Sequence, residues 1–409
     1  MARVTMLLDN SFQRDHRVLK EARSLAGAGH RVRIVARAPE VGEERLPARE
    51  ERDGFRVDRV PFPAWTRWRG PLRAWAERRW FERTAPLGAA AAAEPADVVH
   101  AHDLTTLGPA ARAARALGAA LVYDDHELYV ETVHTTYPLD RGRLRTALFR
   151  RAANGIARRG ARLERRLLPT LDGHVTVSES IAEEIARRYG VRPPRVVANC
   201  PPLRRVETPD DRLRRALGVG PSQRVVLYQG TMPASGAGQE DLVDAALHLP
   251  ADVTIAFLGW GFGRAGLEAR ARDRGVADRA RFLDPVPPDE LPLWIAGADV
   301  AAVPNRAGNL SNLLALPNKL FEAMMVGVPV AAADTPEVRR VLEAYPAGAL
   351  HAMESPEALA RAVLDVVDAP LEARAAMRAA ALRATEERYC WERQAETLLG
   401  LYEEILARR

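Results

Sequence analysis

The chain has only two cysteines, Cys200 and Cys390, in 409 residues. That scarcity excludes a disulfide framework and any zinc module built on cysteine. Long apolar runs are missing too. The longest, Ala323 to Ala333, falls well short of the ~20 residues a membrane-spanning helix needs. The opening MARVTMLLDNSF meets Asp9 before the apolar core of a signal peptide can form, so the sequence predicts a cytoplasmic protein. Lysine is nearly absent: of 59 basic residues, only Lys20 and Lys319 are not arginine.

Apolar residues make up 47% and charged ones 28%, which excludes a disordered chain. The length suits about two domains of ~150–200 residues each. The net charge of +5 is unevenly spread. Residues 66–84 carry six Arg against two Glu, and residues 141–166 carry ten Arg against one Glu, which leaves the remainder acidic. In the first segment Trp65, Trp68, Leu72 and Trp75 follow 3-4-3 spacing between arginines. Such a stripe in residues 65–84 suits peripheral contact with an anionic membrane on its inner face, or an anionic or lipid-linked acceptor. It equally suits a helix packed on its own domain. No nucleic-acid motif accompanies either segment, so no nucleic-acid partner is expected.

The pattern along the chain is strand, helix, strand, repeated. VTMLLD, a helix ending near Gly27 and Gly29, and RVRIVAR form the first cycle; DVVHAHD, helix 104–118 and ALVYDDHE the second. HVTVSES, a helix to Gly190 and RVVANCPP close the first half. RVVLYQG restarts the pattern, with helices expected at 238–249, 262–275, 288–298 and 317–326 between further apolar strands. The tail 355–409 reads as helix broken at Pro370 and around Tyr389. The fold class is therefore α/β, with two doubly wound Rossmann-like domains. We place residues 1–203 in the first domain and 204–390 in the second, with helix 391–409 packing back on the first.

The richest chemical signal is LPNKLFEAMMVGVPVAAAD. Pro317 suits a helix start, Lys319 lies in the first turn, and Glu322 lies one turn later on the same face. Free N–H groups, helix dipole and ammonium together make an anion site. The plainer alternative is a solvated Lys–Glu pair. A compact ammonium kept in an arginine-rich chain favours the site. In VYDDHEL, His126 stands among three acids, which favours its protonated form; alternatively it is a strand-end histidine satisfied by Asp124 or Glu127. His100 and His102 share one strand face, a pair that could bind metal, but no third ligand is evident. We read His100 as packing and His102 as acceptor-side or hydrogen-bonding, with Asp103 as helix N-cap. Asn10, Asp15 and Arg17 follow the first strand, and Asp15 alone would suit a cap.

These segments, with ADVAAVP before the lysine and DTPEVRRV after it, resemble glycosyltransferase family 4 (group 1), the retaining enzymes of the GT-B fold. DNSFQRDHRVLKEARSLAGAGHRVRIV, VVHAHD, VYDDHEL, VTVSESIAEEI, ANCPP, YQG and FLGWG follow the family in order, over nearly the whole chain. The resemblance implies two domains facing across a cleft and transfer from a nucleotide-diphosphate sugar, UDP- or GDP-linked, to a small or lipid-linked acceptor. It implies no metal and no other cofactor. It gives His126 and Lys319 catalytic roles. It places Gly230, Gly259, Gly261, Val286, Asn318, Lys319 and Glu322 on the donor, and Asn10, Asp15, Arg17, His102 and Asp124 on the acceptor side. Two positions depart from the family: Leu314 stands for the first acid of its E-x7-E motif, and Ala237 for an arginine. Asn309 and Asn312 are candidate substitutes on the sugar, and Arg264 and Arg306 on the diphosphate. A catalytically silent sugar-nucleotide-binding protein and a nucleotide-sugar epimerase of the same fold are the alternatives.

Overall fold

A computed structural model describes residues 1–13, 15–39, 45–62, 80–133, 143–206, 211–233, 238–306 and 308–409, with the side chains of 80 and 143–149 outside the description. The tryptophan stripe at 65–75, Ala237 and the start of the 141–166 segment lie outside the described residues. The chain folds as two units, Met1–Ala198 with Ala395–Arg409, and Asn199–Gln394.

Unit 1 is built on β1 (Arg3–Leu8), β2 (Arg31–Arg37), β3 (Arg49–Arg52), β4 (Phe55–Val60), β5 (Val98–His102), β6 (Ala120–Asp125), β7 (Gly173–Thr176) and β8 (Arg195–Val196). They form one sheet in the order β3-β4-β2-β1-β5-β6-β7-β8. All pairs are parallel except β3–β4. Unit 2 has β9 (Arg224–Gln229), β10 (Val253–Leu258), β11 (Ala280–Leu283), β12 (Val300–Val303), β13 (Val330–Ala333) and β14 (Gly348–His351) in the order β11-β10-β9-β12-β13-β14, all parallel. β10, β12 and β13 are buried along their whole length. Helices cover both faces of such a sheet, so its strands read as continuous apolar runs.

In each unit the strand order reverses once, between β1 and β5 and between β9 and β12. Loops leaving the carboxyl ends of those strands flank a crevice, where doubly wound sheets bind ligands. β1 leads to Asn10–Asp15, β5 to Asp103, β9 to Gly230 and β12 to the lysine segment.

The tail breaks into helices Pro356–Val367, Leu371–Glu387 and Trp391–Ala407, interrupted at Pro370 and Tyr389 as the pattern predicts. The last helix runs from unit 2 into unit 1. The helix expected at 288–298 is shorter, Leu291–Ile295. Pro292 has no N–H to give to residue 288, so it suits only the start of a helix and sets that start at Leu291. The strands β3 and β4 are additional to the sequence reading. Their charges hide them: Asp58 is buried against Arg33, Arg49 and Arg56 at 2.6, 2.9 and 3.0 Å.

Candidate active site

In unit 1 the loop after β1 is shaped by its own side chains. Asn10 accepts from the Phe12 N–H at 2.8 Å and donates to Asp15 Oδ2 at 2.9 Å. Asp15 Oδ1 accepts from the Val18 N–H at 3.1 Å and caps the first helix, His16–Gly27. One turn into that helix, Arg17 is only 4% exposed. Its guanidinium grips the Asp124 carboxylate through two bonds of 3.0 and 2.9 Å. It also donates to the Val197 carbonyl at 2.7 Å and lies 3.0 Å from Glu21 Oε1. Arg17, Asp124 and His102 are thus buried and paired. They form a support for His126 rather than a surface that meets an acceptor.

His126 stands at the open end of this cluster, with its side chain 19% exposed. Its Nε2 lies 3.1 Å from Asp124 Oδ2 and 3.3 Å from His102 Nδ1, and its Nδ1 lies 3.4 Å from Asp103 Oδ2. Burial works against charge on the ring, but Asp103 and Asp124 outweigh it and raise its pKa well above the ordinary histidine value. The two acids thus favour the imidazolium over the neutral ring. Burial also opposes charge on Asp124, yet Arg17 and then His126 hold it well below the usual carboxylate range.

Asp103 corrects the reading of it as a cap. It occupies the N-cap position of Leu104–Leu117, but its side chain makes no cap bond and turns to His126 instead. Its φ of 63° and ψ of 159° lie in a region other side chains rarely visit, a strain of about 1–3 kcal/mol. The other expected neighbours of His126 point elsewhere. Strand alternation sends Asp125 to the opposite face, where burial and then Glu164 raise its pKa. Glu127 accepts from Thr132 Oγ1 at 2.9 Å.

In unit 2 the turn after β9 and the turn after β10 interlock. Gly230 donates to the Leu258 carbonyl at 3.0 Å, Met232 to Trp260 at 2.8 Å, and Gly263 back to Met232 at 3.0 Å. A Cβ on Gly259 would sit 2.0 Å from the Gly230 carbonyl oxygen, and one on Gly261 2.0 Å from that of Met232. These two glycines are required by backbone contact. Gly230, with φ of 117°, has room for a Cβ among the described residues instead.

The helix Asn318–Met325 begins after Pro317, and no side chain caps it. Asn318 is exposed, while Lys319 and Glu322 are half-buried. Lys319 Nζ lies 4.1 Å from the centre of the Tyr228 ring and donates to its hydroxyl at 2.9 Å. That hydroxyl also accepts from Gln239 Nε2 at 2.6 Å and donates to the Thr231 carbonyl at 2.7 Å. Gln229 ties the site together by donating to the Lys319 carbonyl at 3.0 Å and approaching Glu322 Oε2 at 3.5 Å. Among the described residues no carboxylate lies within ion-pair distance of the Lys319 ammonium, and its hydrogen bond to Tyr228 uses one of its three donors.

Comparison with known proteins bears on both halves. Residues 15–202 match the family described as glycosyl transferase 4-like domain, and residues 223–369 the family described as glycosyl transferases group 1. The chain belongs to the group 1, family 4 glycosyltransferases. A relative from Xylanimonas cellulosilytica, named D-inositol 3-phosphate glycosyltransferase, is 32% identical over 60% of each chain. A relative of the same name from Acidothermus cellulolyticus is 28% identical over 80% of this chain and 71% of its own. The match spans 60%, 45% and 50% of the lengths of three such relatives. Among solved structures, sucrose-phosphate synthase of Thermosynechococcus elongatus superposes with a TM-score of 0.75 at 17% identity, covering 100% of both chains. HepE of Anabaena, solved with UDP and glucose, gives 0.71 at 18% identity, covering 99% of this chain and 100% of its own. These likenesses carry the GT-B fold.

Within this glycosyltransferase, the arginines considered for a diphosphate are already engaged. Arg264 pairs with Asp284 at 2.6 Å and Glu268 at 2.9 Å, and Arg306 holds Asp241 through bonds of 2.6 and 3.0 Å. Leu314 ends the short helix Leu310–Leu314, which Asn309 caps by accepting from the Asn312 N–H at 2.8 Å. Val286 follows β11, half-buried. Three participants were missed in the sequence: Tyr228, Gln239 and Glu21. Glu21 alone left a sign there, one helical turn after Arg17.

Proposed function

We propose that the protein transfers a sugar from a uridine-diphosphate sugar to an acceptor hydroxyl, with retention and with no metal on the diphosphate. The observation that carries this is Lys319: an ammonium held over Tyr228, without a carboxylate partner, in the first turn of an uncapped helix. Helix N–H groups, dipole and ammonium converge on one volume and suit a diphosphate. Gly230 leaves that approach open. HepE of Anabaena, solved with UDP-glucose, supports UDP as carrier. The relatives' name supports a polyol or polyol phosphate as acceptor.

In the proposed reaction the bond between the anomeric carbon and the diphosphate oxygen breaks as the acceptor oxygen bonds to that carbon on the same face. The acceptor proton passes to the departing phosphate oxygen, giving a glycoside and UDP. Lys319 and the helix N-terminus stabilise charge gathering on the leaving diphosphate. His126, with its Nε2 directed at Asp124 and its Nδ1 at Asp103, presents positive charge toward the sugar and its leaving oxygen. Glu322 holds the ribose.

The test is release of UDP from UDP-glucose, with the product's anomeric configuration read by NMR. Retention, persistence in EDTA and loss in Lys319→Ala and His126→Ala are expected. Inversion, or full dependence on a divalent ion, would overturn the mechanism. Thermal-shift measurements with UDP, GDP and dTDP name the base, and stabilisation by none of them removes the donor site. The silent-binding alternative draws on Leu314 and on the engagement of Arg264 and Arg306; stabilisation by UDP without turnover of any UDP-sugar would favour it. Membrane contact through residues 65–84 is a separate proposal, decided by co-sedimentation with anionic vesicles before and after Trp68→Ser and Trp75→Ser.

A further inference from the structure

Behind His126 lies a row of polar rings that the reaction does not touch. Tyr402, His100 and His102 are all buried, with exposures of 0%, 0% and 2%. The Tyr402 hydroxyl is 2.8 Å from His100 Nδ1, across 302 residues of sequence. His100 stacks on His102 with ring centres 4.3 Å apart, and His102 meets His126 at 5.4 Å. Beside the row, Glu21 is 0% exposed. His100 Nε2, His102 Nε2 and Glu21 Oε2 have no hydrogen-bond partner among the described residues, and Glu21 Oε1 has only its ion pair with Arg17. Each such atom is buried without the bond that would offset its desolvation. An apolar core would cost less, so this row needs a reason.

The reason lies in the tautomers. A charged His126 donates from Nε2 and directs that N–H at Asp124 Oδ2 and His102 Nδ1. His102 Nδ1 faces that N–H at 3.3 Å and Asp124 Oδ2 at 3.5 Å; as acceptor from His126 it carries its proton on Nε2, 4.0 Å from Glu21 Oε2. Half a turn of the His102 ring would put its Cδ2–H where Nδ1 stands and remove the acceptor from the His126 N–H. His100, flat against that ring, blocks the turn, and His100 is itself held through Nδ1 by Tyr402.

We propose that Tyr402, His100 and Glu21 are positioning residues that hold His102 in the one orientation compatible with a charged, donating His126. Tyr402 and His100 act on the ring mechanically, and Glu21 acts on its Nε2 proton. One donor atom from each of Glu21, His100, His102 and Asp124 lies within 4.8 Å of the others, a spacing a divalent cation could close. Arg17 already supplies the positive charge there, gripping Asp124 and lying 3.0 Å from Glu21.

The inference rests on the glycosyltransferase reading for its kinetic readout alone. The experiment compares full-length wild type with Tyr402→Phe, which keeps the ring and removes the hydroxyl, and with Glu21→Gln, which keeps the shape and replaces the carboxyl by an amide. Histidine is labelled with ¹⁵N in the ring. In wild type His102 should show the Nε2–H tautomer beside a doubly protonated His126. In both variants the His102 nitrogens should move toward a mixed-tautomer pattern. UDP-glucose turnover should fall about tenfold in kcat, with KM changed by less than about twofold. An unchanged ¹⁵N pattern with loss of thermal stability alone would overturn the proposal. So would one equivalent of zinc in the purified protein that disappears in His100→Gln. If wild type does not turn over UDP-glucose, the donor reading fails, and the ¹⁵N comparison still decides this one.

Discussion

The strand ends of the two units solve different problems. In unit 1 the site is over-determined: two histidines, three acids and an arginine fix one another, and most are buried. In unit 2 the site is sparse: a half-buried lysine over a tyrosine, an uncapped helix start and an open glycine. Unit 1 invests in a protonation state, and that takes many partners. Unit 2 invests in an unspent charge, which works only if partners are few.

The contrast can be broken at its strongest point first. Arg17→Met leaves two buried carboxylates without their cation, so urea unfolding should show a loss of about 3–5 kcal/mol. Lys319→Met should change stability by less than about 1 kcal/mol. Equal effects would mean the two sites are built alike. Next, His126→Ala should cut UDP-sugar turnover by about 10²–10³-fold at saturating donor, the scale of one lost charge-stabilising donor. Third, Lys319→Met should weaken UDP binding about 10–100-fold in calorimetry, matching about 1.5–3 kcal/mol for a charge-assisted bond. His126→Ala should leave UDP binding within about threefold, because His126 is assigned to the sugar end.

The smallest effect is in pH. The folded pKa of His126 is raised above its unfolded value of about 6.5. Its stabilisation is therefore complete below that pH and is lost as pH rises through the folded value. Asp124 behaves oppositely, because its folded pKa is depressed. Its share is present above its unfolded pKa and is lost as pH falls through the folded one. The difference in urea midpoint between wild type and His126→Asn should therefore shrink as pH rises past neutrality. A difference constant across that range would show that His126 is not charged at rest.

Much of this was legible in the sequence because parallel strands buried on both faces appear as unbroken apolar runs, and Pro370 marks its own break. The helix Asn318–Met325 was legible because Lys319 and Glu322 are local to one turn. The strands β3 and β4 were not, because pairing lets charged residues such as Asp58 go inside. The charge on His126 was legible from DDHE, but its partners were only half so. Alternation along β6 should have separated Asp124 from Asp125, whereas Asp103 enters through an unusual backbone conformation that no pattern announces. Tyr402 left no trace at all, since only the fold brings it to His100.

That last helix also sets an order of events on the ribosome. A Cβ on Gly173 would lie 2.8 Å from Ile405 Cδ1, so β7 keeps a notch for a segment not yet made when β7 itself emerges. Unit 1 therefore waits, with His100 lacking its hydroxyl partner, while the whole of Asn199–Gln394 is synthesised. At ~5–20 residues per second that is roughly 10–40 seconds. The first half of the chain is thus the last to be finished, and a nascent protein joins Tyr402 to its histidines only once the second unit has been synthesised.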